Sequence, residues 1–265
     1  MQALGVVRKM SIEPDDGLKY FLNLNREKGP LLNECFGRQL RIHWTGSIFC
    51  IKCGKRIKKS FGQGFCYDHF RSAPEAAPCI VKPELCEAHL GKGRDVEWEE
   101  AHHNKPHFVY LAQTSSIKVG VTRDTQIPTR WLDQGAQRAV NIAKVPYRRL
   151  AGELEVELKQ YFSDKTDWRL MLTNVQDSED LNEWREAAIS FFSSRFQEFS
   201  LHDEPIHEFS YPVEEYPGKV NTINLEKDPS FEGKLTGIRG QYLYFNKDRV
   251  INLRKYTGYE VGFSC

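Results

Sequence analysis

Strand-like alternation of apolar and polar residues occupies both ends of the chain, and helical spacing fills the middle. Residues 3–10 and 19–24 are apolar and strand-favouring, separated by the turn Pro14-Asp15-Asp16-Gly17. Residues 39–44 and 47–51 predict a hairpin around the tight turn Thr45-Gly46, which delivers the chain to Cys50 and Cys53. Residues 52–106 lack apolar periodicity, contain Pro74, Pro78 and Pro83, and predict no core of their own. Residues 108–112 and 117–121 are two apolar strands joined by Gln113-Thr114-Ser115-Ser116. Helical spacing follows over 129–141 and over 149–162, where Leu150, Leu154 and Leu158 align on one face. A third amphipathic stretch, 179–199, carries Leu181, Trp184, Ala188, Ile189, Phe192 and Phe196. The pattern then returns to β: 234–238, 241–245, 250–253 and 259–263 predict a small closing sheet or barrel.

Composition narrows the class. Of 265 residues 40% are hydrophobic and 28% charged, as in ordinary globular chains, and no apolar run approaches the length of a membrane span. The opening MQALGVVRKMSIEPDD lacks the apolar stretch and cleavage site of a secretory signal, so a cytoplasmic location without a membrane is expected.

The cysteines add chemistry. Cys50, Cys53, Cys66, Cys79 and Cys86 crowd one segment among histidines, and in a reducing compartment that pattern points to metal rather than disulfides. Cys50-Ile51-Lys52-Cys53-Gly54 is a knuckle with two thiolates on a tight turn, and Cys66-Tyr67-Asp68-His69 is a second pair at the same spacing. Zinc takes four N or S ligands in a tetrahedron, which two such pairs supply. Cys79, Cys86 and His89 form a looser group, with His102, His103 or His107 as a fourth ligand and His103 favoured. The spacing leaves open whether the ligands close two separate sites or interleave. With every ligand a protein side chain, zinc is expected as a structural staple.

The net charge of +1 hides an uneven distribution along the chain. Residues 50–72 carry Lys52, Lys55, Arg56, Lys58, Lys59 and Arg71 against Asp68. Residues 117–149 carry Lys118, Arg123, Arg130, Arg138, Lys144, Arg148 and Arg149 against Asp124 and Asp133, while acids gather in 177–232. A fold that placed both basic segments on one face would attract a polyanion.

The runs HFVYLA (107–112), IKVGVTR (117–123), IPTRWLDQGA (127–136) and AGELEVEL (151–158) resemble, in that order, the GIY-YIG endonuclease superfamily. The likeness is to the branch whose second strand reads Lys-Val/Ile-Gly. With its knuckles ahead of this block and the runs WLDQGA (131–136) and SDKT (163–166) inside it, the whole chain resembles an uncharacterised bacterial family with no assigned activity. The resemblance implies an antiparallel sheet with a tyrosine on each of two strands, a helix bearing an arginine, and a later helix whose glutamate binds one divalent metal. Tyr110 matches the first tyrosine, Gly120 the second-strand glycine, Arg130 the arginine and Glu155 the glutamate, and Lys118 stands where the second tyrosine would be. In such a site Mg²⁺ or Mn²⁺ rests on Glu155, Arg130 grips a nonbridging phosphate oxygen, and Tyr110 orients or deprotonates water. Lysine is a poor base unless its pKa is strongly depressed. Two readings follow: a nucleic-acid-binding protein of nuclease ancestry acting as a metal-dependent phosphodiesterase, or a noncatalytic module that recognises RNA or a protein partner. Nothing here separates DNA from RNA. The expected fold is α+β: an N-terminal β unit (1–49), a zinc-binding segment (50–106), a GIY-YIG-like α/β core (107–200) and a small C-terminal β unit (201–265).

Overall fold

The computed structural model of the chain describes residues 1–162, 166–175 and 180–265. The fold is a mixed α+β one in two units, the first made of Met1–Phe70 and Ser210–Cys265, the second of Arg71–Phe209. In chain order the strands are β1 (Gln2–Val6), β2 (Ser11–Asp15), β3 (Gly17–Phe21), β4 (Gln39–Phe49), β5 (Arg56–Ile57), β6 (His107–Gln113), β7 (Ile117–Arg123), β8 (Arg138–Val145), β9 (His207–Glu208), β10 (Asn221–Thr222), β11 (Ser230–Arg239), β12 (Tyr242–Phe245), β13 (Arg249–Asn252) and β14 (Tyr259–Ser264). The helices are α1 (Tyr67–Ser72), α2 (Val96–His102), α3 (Thr129–Asp133), α4 (Arg148–Leu158), α5 (Trp168–Leu172) and α6 (Leu181–Ser190).

The first unit joins β strands from both ends of the chain in one sheet, ordered β1-β14-β4-β11-β12-β13-β10, with β5 pairing β4. β2 and β3 form a separate hairpin around the Pro14–Gly17 turn signal. The hairpin expected over 39–51 is replaced by a single strand, β4, held antiparallel by β11 on one side and β14 on the other. Thr45-Gly46 is a bulge: Trp44 pairs with Val261 and Ile48 with Tyr259, so β4 loops out extra residues at Gly46, whose φ is +83°. Leu40, Ile42 and Ile48 all remain buried, and a local turn signal yields to pairing on both edges.

The second unit is built on an antiparallel sheet ordered β7-β6-β8-β9. On one face Val109, Leu111, Val119 and Val121 pack with Leu154 and Leu158 of α4 and Leu181 and Ile189 of α6. On the other, Tyr110 and Ala112 pack under Trp131 and Ala136. The helix expected over 129–141 stops early. α3 ends at Asp133, Gly135 takes the left-handed conformation (φ +71°), and the Ala136 N–H closes the turn on the Trp131 carbonyl at 3.1 Å. Beyond it the β-branched Val140, Ile142 and Val145 belong to β8, which pairs with β6 from Gln113↔Arg138 to His107↔Val145. Of the third amphipathic stretch, α6 and the 3-10 turn Ser194–Phe199 are helical; its first residue, 179, and residues 163–165 of the SDKT run lie outside the described residues.

Helix α4 rests on the 3-10 turn Pro83–Leu85 at a glycine. A Cβ on Gly152 would stand 2.2 Å from the Glu84 nitrogen and 2.5 Å from the Pro83 carbonyl carbon, both backbone atoms that side-chain motion cannot clear. Gly152→Ala is therefore expected to cost about 1–3 kcal/mol, the range for overpacking. Gly218→Ala, with nothing within 4 Å, should change stability by under about 0.5 kcal/mol. Urea unfolding of both variants checks this, and equal midpoints for Gly152→Ala and wild type would refute it.

Candidate functional site

The first cluster lies in the first unit. β4 ends at Phe49, and the chain turns at once: the Cys50 N–H donates to the Lys55 carbonyl at 2.9 Å and the Gly54 N–H to the Cys50 carbonyl at 2.8 Å. Helix α1 then starts just after Cys66 and brings His69 round on its first turn. Cys50, Cys53, Cys66 and His69 each offer a ligand atom, all within 4.8 Å of one another. His69 Nδ1 is 3.2 Å from Cys66 Sγ and 3.6 Å from Cys50 Sγ. A zinc tetrahedron with Zn–S bonds of about 2.3 Å has edges of about 3.8 Å, so the four side chains are gathered on the scale of such a site. Burial pushes the Cys50 thiol up, but backbone N–H groups of Cys53, Cys66 and Lys52 turned toward the sulfur bring it down to about 6. The fold thus favours the thiolate that a metal requires.

A second cluster lies in the second unit, so the ligand pairs do not interleave. Cys79, Cys86, Glu99 and His103, all buried, lie within 4.8 Å of one another. Cys79 and Cys86 meet through sulfur, which pushes Cys86 down and Cys79 up. Glu99 and His103 hydrogen-bond through a carboxylate oxygen and Nδ1. They stand four residues apart at one side of α2, whose N-cap Asp95 accepts from the Trp98 N–H at 3.0 Å. Gly93 makes room, since a Cβ there would meet Glu99 Cγ at 2.3 Å.

This arrangement differs from the sequence reading at one ligand. His89, expected in the set, lies outside it, its ring stacked on Tyr147 with centroids 4.5 Å apart. Glu99 completes the tetrad in its place. The signal that could have found it is the i, i+4 spacing to His103 on a helix. Of the alternatives, His102 stacks on Trp98 at 4.1 Å, and His107 donates from Nδ1 to the Lys105 carbonyl at 2.7 Å. Burial holds the His107 imidazole neutral, with its pKa lowered to about 4.

The remaining predicted residues gather on the sheet of the second unit. Tyr110 on β6 pairs with Gly120 on β7, and the glycine is required: a Cβ would lie 2.6 Å from the tyrosine Cζ and hydroxyl. The Tyr110 hydroxyl donates to Gln134 Oε1 at 3.1 Å. Arg130 on α3 is half-buried. Burial alone would lower its pKa, but Tyr110, Asp133 and Glu155 around it raise it above the ordinary value. Its Nε is buried and makes no hydrogen bond among the described residues. Glu155 on α4 is also buried, which raises its pKa, against the pull of Lys159 at 3.4 Å and of Arg130. Glu84 lies close enough to raise that pKa further, and among the described residues Glu155 belongs to no group of three or more His, Cys or carboxylate side chains able to hold a metal. Lys118, two positions from Gly120 on β7, is buried and donates to the Thr166 hydroxyl at 2.8 Å.

Arg148, at the start of α4, connects these residues to the second cluster. Its guanidinium donates twice to the Cys79 carbonyl (2.9 and 3.1 Å) and once to that of Ile80 (3.1 Å). Its backbone N–H donates to the His103 carbonyl at 3.0 Å.

No helix among the described residues is long and apolar enough to cross a membrane. A family model described as a protein of unknown function, DUF2797, matches residues 37–261. No curated protein and no solved structure matches the chain.

Purified without chelator, the protein is expected to carry about two zinc ions per chain, one for each tetrad. Elemental analysis should find about one in Cys53→Ser, in Cys86→Ser and in Glu99→Ala, and both in His89→Ala. Loss of zinc from His89→Ala with retention in Glu99→Ala would transfer the fourth position to His89.

Proposed function

The chain belongs to the DUF2797 family, whose function is unknown, and for it we propose a nucleic-acid-binding role on a core of GIY-YIG nuclease ancestry, with zinc as a structural staple in both tetrads. The observation that carries this reading is that Arg130 of α3 lies within electrostatic reach of both Tyr110 of β6 and Glu155 of α4, on the element types and in the order that the resemblance calls for. Arg130 supports it further, because a buried guanidinium nitrogen without an acceptor suits a phosphate oxygen. As a phosphodiesterase, the core would hold Mg²⁺ or Mn²⁺ at Glu155. The ion would supply charge neutralisation at phosphorus and a water of lowered pKa. A single carboxylate is an acceptable protein contribution to a Mg²⁺ site, since that ion keeps several waters and takes phosphate oxygens. Tyr110 would orient the attacking water, and Arg130 would bind the nonbridging oxygen.

A second reading, a noncatalytic module that recognises RNA or a protein, draws on two observations. Lys118 occupies the place of the second tyrosine with its amine already engaged by Thr166, and Lys159 competes for Glu155.

The test pairs wild type with Glu155→Gln. Wild type is expected to bind DNA or RNA with an affinity that falls steeply with salt, and to cleave it only with Mn²⁺ or Mg²⁺. Glu155→Gln should lower cleavage by about 10²-fold or more with an unchanged melting temperature. Salt-sensitive binding without cleavage selects the module, and no binding to either nucleic acid at low salt refutes the proposal.

A further inference from the structure

We propose that the face of the first cluster is a stacking platform for single-stranded nucleic acid. The inference rests on the nucleic-acid reading above and adds the surface and the strand state. The platform is built by the two ligand pairs. Phe61 lies between them, in a reversal closed by reciprocal backbone bonds with Phe65 (2.9 and 3.0 Å). Tyr67 and Phe70 follow on α1 directly after Cys66, 53% and 37% exposed. The Phe61 ring centroid is 5.3 Å from that of Tyr67 and 6.1 Å from that of Phe70, with the planes at 63° and 31°. Neither pair is stacked, so the rings do not cover one another's faces. Gly62 permits the Phe70 approach: a Cβ there would come within 3.1 Å of its Cδ2.

The charge along this stretch is predominantly positive. Lys55, Arg56, Lys58 and Lys59 are exposed, and no carboxylate pairs with any of them among the described residues. Lys59 Nζ stands 5.6 Å from the Phe61 centroid. Asp68 is the one acid between residues 50 and 70. Aromatic faces accept any unstacked base, and cations interleaved with them neutralise the phosphates between bases. In a duplex the base faces are occupied by their neighbours, so the rings select single strands.

The test is fluorescence anisotropy of the full, zinc-loaded chain with oligo(dT), oligo(U) and a duplex, each of about 20 nucleotides per strand, and with polyglutamate as competitor. Both single strands should bind more tightly than the duplex, and the better of the two identifies DNA or RNA as the source. Tyr67→Ala is expected to weaken single-strand binding about 5- to 150-fold with zinc content and melting temperature unchanged. Tyr67→Phe, which keeps the ring, should bind within about twofold of wild type. The double variant Lys58→Glu, Lys59→Glu should weaken binding and flatten its salt dependence. Wild-type affinity in Tyr67→Ala overturns the platform, as does competition by polyglutamate equal to that by the single strands. Duplex binding that ignores both sets of substitutions overturns the platform alone, whereas no binding to any oligonucleotide overturns the nucleic-acid reading with it.

Discussion

Helix α4 is anchored at its first residue by the Arg148 guanidinium, and much of the candidate chemistry in the second unit depends on that anchor. The carbonyl of the buried Cys79 has no regular strand or long helix to pair it, and a buried unpaired carbonyl is costly. The Arg148 side chain pairs it twice and reaches the neighbouring, exposed Ile80 carbonyl as well. Burial disfavours the charge on Arg148, and the Cys79 and Cys86 sulfurs offset this. The backbone of the same residue holds His103, and one turn further on Gly152 lets the Pro83–Leu85 turn approach to contact distance. Two ligands of the second cluster are thus tied to the helix that carries Glu155.

Much of this was legible in the sequence where chemistry is local. The Cys-x-x-Cys and Cys-x-x-His spacings located the first cluster because two residues span one turn around an ion. The strands β6 and β7 declared themselves as short apolar runs because both of their faces are buried, and helix α4 through its apolar spacing because one of its faces is. Two errors share a cause. Residues 138–141 close the stretch 129–141 read as helical, and Thr45-Gly46 carries a turn signal, yet β8 and β4 are strands because partners distant in sequence pair with them. Glu99 escaped notice for another reason: an acidic residue in a helix usually faces water, and only the fold shows it buried against His103.

The basic residues show how little a charge count says about a surface. In the segment 117–149, Lys118 is buried on Thr166, Arg138 donates to Gln113 Oε1 at 2.8 Å, and Arg148 serves backbone carbonyls. Those charges largely organise the second unit's interior. In residues 50–59 the basic side chains stand outside, because the backbone there is committed to the thiolates and leaves no core to receive them. The two segments look alike in sequence and have opposite electrostatic roles.

The topology of the first unit has a consequence for synthesis. β4 lies between β11 and β14, and its His43 meets Ser230 across 187 residues of chain. Every strand pair of the second unit, by contrast, closes within Arg71–Phe209. On a ribosome the second unit can therefore complete its sheet while β4 still presents two open edges and the apolar side chains of Leu40 and Ile42. The entropic cost of that wait grows only slowly with the length of the intervening chain. The hazard is one of time: the longer the insertion, the longer an unpaired central strand is available to the wrong partner.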